Sequence, residues 1–158
     1  MKVIFLDIDG VLNSAAFFAS GPHGFGDIDP APVARLEQLL ARSGAQVVIS
    51  STWRLAFSPA ELRARLAAKG FTGEILGCTP EVPTRATSIL GAFFFPRCAE
   101  IRAWLAAQAV PPERFVILDD AELEPADLVE LQPCFVRTDP ERGLQDGDVE
   151  AAVRILEG

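Results

Sequence analysis

Two aspartates one residue apart close a short apolar run: Val3-Ile4-Phe5-Leu6 leads into Asp7-Ile8-Asp9-Gly10-Val11. In an extended segment residues i and i+2 point the same way, so Asp7 and Asp9 would share one side. A carboxylate can form a covalent intermediate, which suits Asp7 to attack a phosphorus. Asp9 could then protonate the leaving oxygen and later take a proton from water. Gly10 lets the chain turn sharply without a side chain in the pocket. Two further apolar runs also end in polar groups. Gln46-Val47-Val48-Ile49 releases Ser50-Ser51-Thr52-Trp53-Arg54, and Phe115-Val116-Ile117-Leu118 releases Asp119-Asp120. Four carboxylates gathered at one edge would repel one another unless a cation or raised pKa values relieve them. A divalent hard cation is the simplest relief, and Mg²⁺ often binds one or two carboxylates plus a substrate phosphate. The Ser50 hydroxyl and a neighbouring backbone N–H could hold phosphoryl oxygens, with Ser51 in that role if the strand is one residue longer. Arg54 is a candidate substrate contact. An arginine clamp would offset the remaining negative charge.

These groups share an edge only if the apolar runs are neighbouring strands. The pattern alternates strand and helix throughout. Pro30 to Ser43 carries Val33, Leu36, Leu39 and Leu40 on one face, with Asp29 placed to cap it and Gly44 to end it. Ser58-Pro59-Ala60-Glu61 is a capping box opening a helix to about Lys69. Glu74 to Gly77 reads as a third strand, Arg97 to Gln108 as a helix, and Pro125 to Leu131 as a short one. Cys134 to Arg137 reads as an edge strand and Asp146 to Leu156 as a closing helix. Residues 13–29 read as a long loop, and 78–96 is the least legible stretch. Continuous apolar strands alternating with amphipathic helices predict one α/β domain over 1–158, Rossmann-like, with a mainly parallel sheet covered on both faces. Ligands of such sheets sit beyond the carboxyl ends of the strands.

Composition narrows the partners. Acids outnumber bases 22 to 14, giving net −8, which disfavours strong non-specific binding to nucleic acid or to an anionic membrane. No apolar run approaches the roughly 20 residues of a membrane span. Cys78, Cys98 and Cys134 are odd in number and widely spaced, and His23 is the only histidine, so neither a disulfide framework nor a zinc site is expected. Reduced thiols used as small core residues suit a cytoplasmic protein.

The three strand ends together resemble the haloacid dehalogenase (HAD) superfamily of aspartate-nucleophile phosphohydrolases. Its D-x-D-G-[VT] motif stands as Asp7-Ile8-Asp9-Gly10-Val11. Its strand ending in Ser or Thr is matched by Val47-Val48-Ile49-Ser50, and its late strand with an acidic pair by Ile117-Leu118-Asp119-Asp120. The family's remaining motif is a basic residue, usually lysine, opening a helix before that late strand. No lysine follows Lys69, so Arg97 is the candidate, with Arg85 and Arg102 behind it. The string Ser50 to Arg54, the Glu100-Ile101 and Trp104-Leu105 helix, and the segment Arg137-Thr138-Asp139 with Gly143-Leu144 are similar to a small capless bacterial subfamily that includes the domains of multi-domain RNA-repair proteins. The resemblance implies Mg²⁺ held by Asp7, the Asp9 backbone carbonyl and Asp120, with Asp119 in support or as an alternate ligand. It also implies that the late strand lies beside the first. There is room for a flap at 13–29 and a small lid at 78–96 but not for a cap domain. An open site of this kind implies a phosphorylated small molecule, or a phosphorylated protein or nucleic-acid end, as substrate.

Three rivals remain. A receiver domain also gathers acids and Mg²⁺ on a doubly wound sheet, but its acidic pair follows the first strand, whereas here the pair is late. A weak or inactive phosphate-binding module is suggested by the missing lysine and opposed by the intact Asp7 and Asp9. Another enzyme on the same site is also conceivable: a dehalogenase has no need of the metal acids, and a phosphomutase normally wants a cap.

Overall fold

The computed structural model describes residues 1–82, 96–123 and 127–158. Five strands, β1 (Lys2–Leu6), β2 (Gln46–Ile49), β3 (Ile75–Cys78), β4 (Arg114–Asp119) and β5 (Phe135–Arg137), form one sheet in the order β3-β2-β1-β4-β5. Every pairing is parallel. The helices are α1 (Ala15–Ala19), α2 (Pro30–Ser43), α3 (Pro59–Ala67), α4 (Arg97–Ala106), α5 (Leu128–Leu131) and α6 (Asp146–Glu157). The late strand does lie beside the first, at the point where strand order reverses.

The strands are apolar on both sides because both sides are covered. Ile4, Leu6, Val47, Ile49, Val116 and Leu118 join a core with Leu36 and Leu39 of α2, Leu62 and Leu66 of α3, and Val149 and Val153 of α6. Val3, Phe5, Val48 and Ile117 face the other way, onto Ile101 and Trp104 of α4. This period-two alternation decides which way the residues just past the strands point.

The helices start and stop where local chemistry directs. Asp29 accepts a hydrogen bond from Ala31 N at 2.9 Å. Ser58 and Glu61 form the reciprocal capping box, with Ser58 N donating to Glu61 at 2.8 Å and Glu61 N to Ser58 Oγ at 3.3 Å. Each such cap is worth about 1 kcal/mol.

The loop expected over 13–29 contains the short α1. Its start is fixed by Ser14, whose hydroxyl accepts from Phe17 N at 3.1 Å. A 3-10 turn, Thr52–Leu55, follows β2. The expected helix from Pro125 is described from Leu128 onward. Most of the expected lid at 78–96, with Arg85 and the Phe93-Phe94-Phe95 run, lies outside the described residues, as do Glu124 and Pro125. Among the described residues no helix is long and apolar enough to cross a membrane. All three cysteines are free.

Candidate active site

The parallel ladder continues one residue past the strands and carries the candidate residues with it. Asp7 N donates to Leu118 O at 3.0 Å, Ser50 N to Leu6 O at 2.9 Å, and Thr79 N to Ile49 O at 2.9 Å. Since Leu6 pairs with Ile49 and Leu118, and Ile49 with Cys78, the next residues Asp119, Asp7, Ser50 and Thr79 form one row across four strands. All four are buried. Alternation puts the row on the face of Phe5, Val48 and Ile117, the side covered by α4.

Arg97, the first residue of α4, reaches that row. Its Nη1 lies 2.8 Å from Asp7 Oδ2 and also contacts Asp119 Oδ2. Burial works against the guanidinium charge, but Asp7 and Asp119 outweigh it and raise the Arg97 pKa. Arg102 is engaged elsewhere, with Asp127 at 2.5 Å and Glu130 at 2.9 Å. Of the two described arginines considered for the basic position, Arg97 is the one at the row.

Asp7, Asp119 and Asp120 each bring a carboxylate oxygen within 4.8 Å of the other two. Burial pushes Asp119 up to about 6, and the charge of Asp7 adds to it. Asp120 is half-buried and is raised for the same two reasons. Buried acids that raise one another's pKa in this way are ones a cation would relieve. The donor set is all carboxylate, without nitrogen or sulfur, which suits a hard ion such as Mg²⁺. Gly10 makes room for the Asp120 side chain. At φ 72° it sits in the left-handed region, and a Cβ there would overlap the Asp120 carboxylate.

Asp9 is exposed, and two donors fix its carboxylate. Asn13 Nδ2 donates to Oδ1 at 2.9 Å and Trp53 Nε1 to Oδ2 at 2.9 Å. Asn13 also accepts from Gly10 N at 3.0 Å, which ties the turn to the acid. Thr138, just past β5, donates its hydroxyl to Gly10 O at 2.8 Å. Sequence reasoning gave roles to none of Asn13, Trp53, Thr79 or Thr138. The signals were present in the asparagine four residues after Asp9, the tryptophan three after Ser50, and hydroxyls just past the third and fifth strands.

Ser50 and Ser51 differ in availability. Ser51 Oγ caps the 3-10 turn by accepting from Trp53 N at 3.2 Å. Ser50 Oγ is fully buried without a hydrogen-bond partner among the described residues, as are Thr79 Oγ1 and Arg97 Nε. A buried hydroxyl in that state is costly unless a ligand completes it.

Arg54 faces the protein. Its Nη1 donates to the carbonyls of Ser50 at 3.2 Å and Ser51 at 2.9 Å, and its Nη2 lies 2.6 Å from Glu100 Oε1 on α4. That last contact is off the hydrogen-bonding angle, so it acts through charge. His23 stacks on Phe17 with ring centres 3.9 Å apart and lies 3.8 Å from Asp27, within the 13–29 segment.

The doubly wound sheet, the D-x-D turn and the acidic pair at the strand-order reversal define a HAD-type domain. The family model described as the HAD domain in Swiss Army Knife RNA repair proteins matches residues 3–149. The chain belongs to that family, whose general chemistry is of the phosphohydrolase type. No curated protein and no solved structure matches the chain.

Proposed function

We propose that the protein is a Mg²⁺-dependent phosphatase that hydrolyses phosphate monoesters through an aspartyl-phosphate on Asp7. The observation that carries this reading is the row Asp119–Asp7–Ser50 with Arg97 lying on Asp7. A nucleophile, an unpartnered hydroxyl and a fixed cation meet there beside a three-carboxylate cluster. Asp7, Asp120 and the Asp9 carbonyl would hold the ion, with Asp119 supporting. When bound, Mg²⁺ supplies positive charge against the phosphoryl oxygens.

Asp7 attacks the phosphorus, and the bond from phosphorus to the ester oxygen breaks. Asp9, steadied by Trp53 and Asn13, gives its proton to that oxygen, and the alcohol leaves. Water then attacks the phosphorus of the acyl phosphate as Asp9 takes its proton, releasing phosphate and restoring Asp7. Ser50 Oγ and Arg97 hold the phosphoryl oxygens through both steps. Gly10 keeps the floor of the pocket open. Arg54 acts through the Ser50-Ser51 carbonyls as a positioning residue.

The substrate is a phosphorylated small molecule or a phosphorylated protein or nucleic-acid end. The family's description names RNA repair proteins, which is the reason to include phosphorylated RNA ends among the candidates. Net −8 favours a small or terminal phosphate over a long polyanion. Three free thiols and the acidic surface fit a cytoplasmic setting. Purified protein should release phosphate from an aryl phosphate with Mg²⁺ and stop when EDTA is added. A panel of sugar phosphates, phosphopeptides and phosphorylated RNA and DNA ends would rank the substrates. Binding of Mg²⁺ and phosphate without turnover on any ester would instead make the chain an inactive phosphate-binding module.

A further inference from the structure

Large apolar side chains are exposed at Phe18 (37%), Phe25 (78%) and Leu55 (46%), and these belong to the two segments that flank Asp9, the 13–29 loop and the 3-10 turn. Phe25 is the most exposed of the three and is nonetheless held in place. Its ring stacks on Phe57, with centres 5.5 Å apart and planes 20° apart, and leans on Trp53 at 5.7 Å. Arg65 lies 4.1 Å from the Phe57 ring centre and donates to Gly26 O at 3.0 Å, anchoring the loop next to Phe25. The turn is closed by Asp27 N donating to Gly24 O at 3.0 Å and Gly24 N to the Asp27 carboxylate at 2.9 Å. Phe25 is thus a largely exposed ring held in a fixed orientation.

Trp53 connects this ring to the chemistry. The same indole that touches Phe25 donates to Asp9 Oδ2 at 2.9 Å. A general acid must lie within hydrogen-bond reach of the oxygen it protonates, so Asp9 marks the leaving-group side of the site. The chain of contacts from Asp9 through Trp53 therefore ends on an exposed aromatic face. We infer that Phe25, backed by Trp53 and Phe57, is a stacking surface for a planar aromatic or heteroaromatic leaving group. This rests on the phosphatase reading for the side on which the leaving group sits, and it adds a class of substrate that the motifs do not specify.

Non-hydrolysable phosphonates separate binding from leaving-group reactivity. Affinities of methyl-, phenyl-, benzyl- and 2-phenylethylphosphonate should be measured by calorimetry with Mg²⁺ on the wild-type chain, Phe25→Ala and Phe25→Trp. An aromatic pair is worth about 0.5–1.5 kcal/mol beyond its burial. At least one aryl compound should therefore bind the wild type roughly three- to tenfold more tightly than methylphosphonate. Phe25→Ala should lose that preference with methylphosphonate affinity unchanged, and Phe25→Trp should keep it. Equal affinities in the wild type, or a preference that survives in Phe25→Ala, would overturn the inference. A wild type that shows the preference but hydrolyses no ester would remove the phosphatase reading and leave the stacking surface.

Discussion

Asp9 shows how single residues set this site. An exposed carboxylate would ordinarily sample several rotamers, but Asn13 and Trp53 each occupy one of its oxygens at 2.9 Å. General acid–base groups contribute about 10²–10⁴ in rate, so Asp9→Asn should lower kcat by that range. Trp53→Phe removes a single hydrogen bond that steadies Asp9 and should cost about tenfold in kcat, with phosphonate affinity little changed. Arg97→Lys should retain a large part of the activity because the charge beside Asp7 remains. Arg97→Ala should lose most of it, and steady-state kinetics on one aryl phosphate compares all four variants. The D-x-D turn was legible because Asp7 and Asp9 interrupt an apolar run at once. Their supports were not, because Trp53 and Thr138 reach the D-x-D turn only after the chain has folded.

At the scale of elements, the loop after β2 and the helix α4 are joined by the ion pair of Arg54 and Glu100, both nearly enclosed. Glu100 stands one turn after Arg97, so this pair ties the Ser50 end of the row to the helix that carries the cation. Glu100→Leu leaves a buried guanidinium uncompensated and should cost about 3–5 kcal/mol in chemical unfolding. Arg54→Met combined with Glu100→Leu should recover much of that stability, since well-packed apolar replacements of buried pairs are often neutral. Activity should not recover with it, because the Ser50 and Ser51 carbonyls lose their donor. α2 and α3 were readable in the sequence because their capping residues and apolar spacing are local. α1 was not, because its five residues bury none of their side chains and so leave no periodic signature. Arg54 read as a substrate contact because a strand-end arginine looks free until the partner on α4, far along the chain, is brought to it.

For the molecule as a whole, the net charge of −8 is the sum of unlike parts. Asp7, Asp119 and Asp120 concentrate negative charge at the reversal point of the sheet, where the fold keeps it only at a cost. Asp119 has a folded-state pKa of about 6, raised above the usual aspartate value. A raised acid pKa contributes stability below the unfolded value, and that contribution is lost as pH rises through about 6. The metal-free protein should therefore lose stability at this site between about pH 4 and 6, and thermal unfolding in EDTA across that range would show it. Mg²⁺ should act in the opposite sense, stabilising most above pH 6 and progressively less as the cluster protonates. At a hundred times its dissociation constant a ligand adds about 2.7 kcal/mol, or roughly 5–10 °C in Tm for a chain of this size. The parallel sheet was legible from continuous apolar strands alternating with helices, and the place of β4 beside β1 from the family resemblance; the rest of the strand order was not.

The central claim is that Asp7 takes the phosphoryl group. The most direct measurement is the rate of phosphate release from an aryl phosphate at saturating Mg²⁺ by Asp7→Asn beside the wild type, with both shown folded by circular dichroism. Asparagine keeps the shape of the side chain but cannot form the acyl phosphate, so release should fall to the level of the uncatalysed background. An Asp7→Asn protein that still turns over at a rate near the wild type would contradict the account.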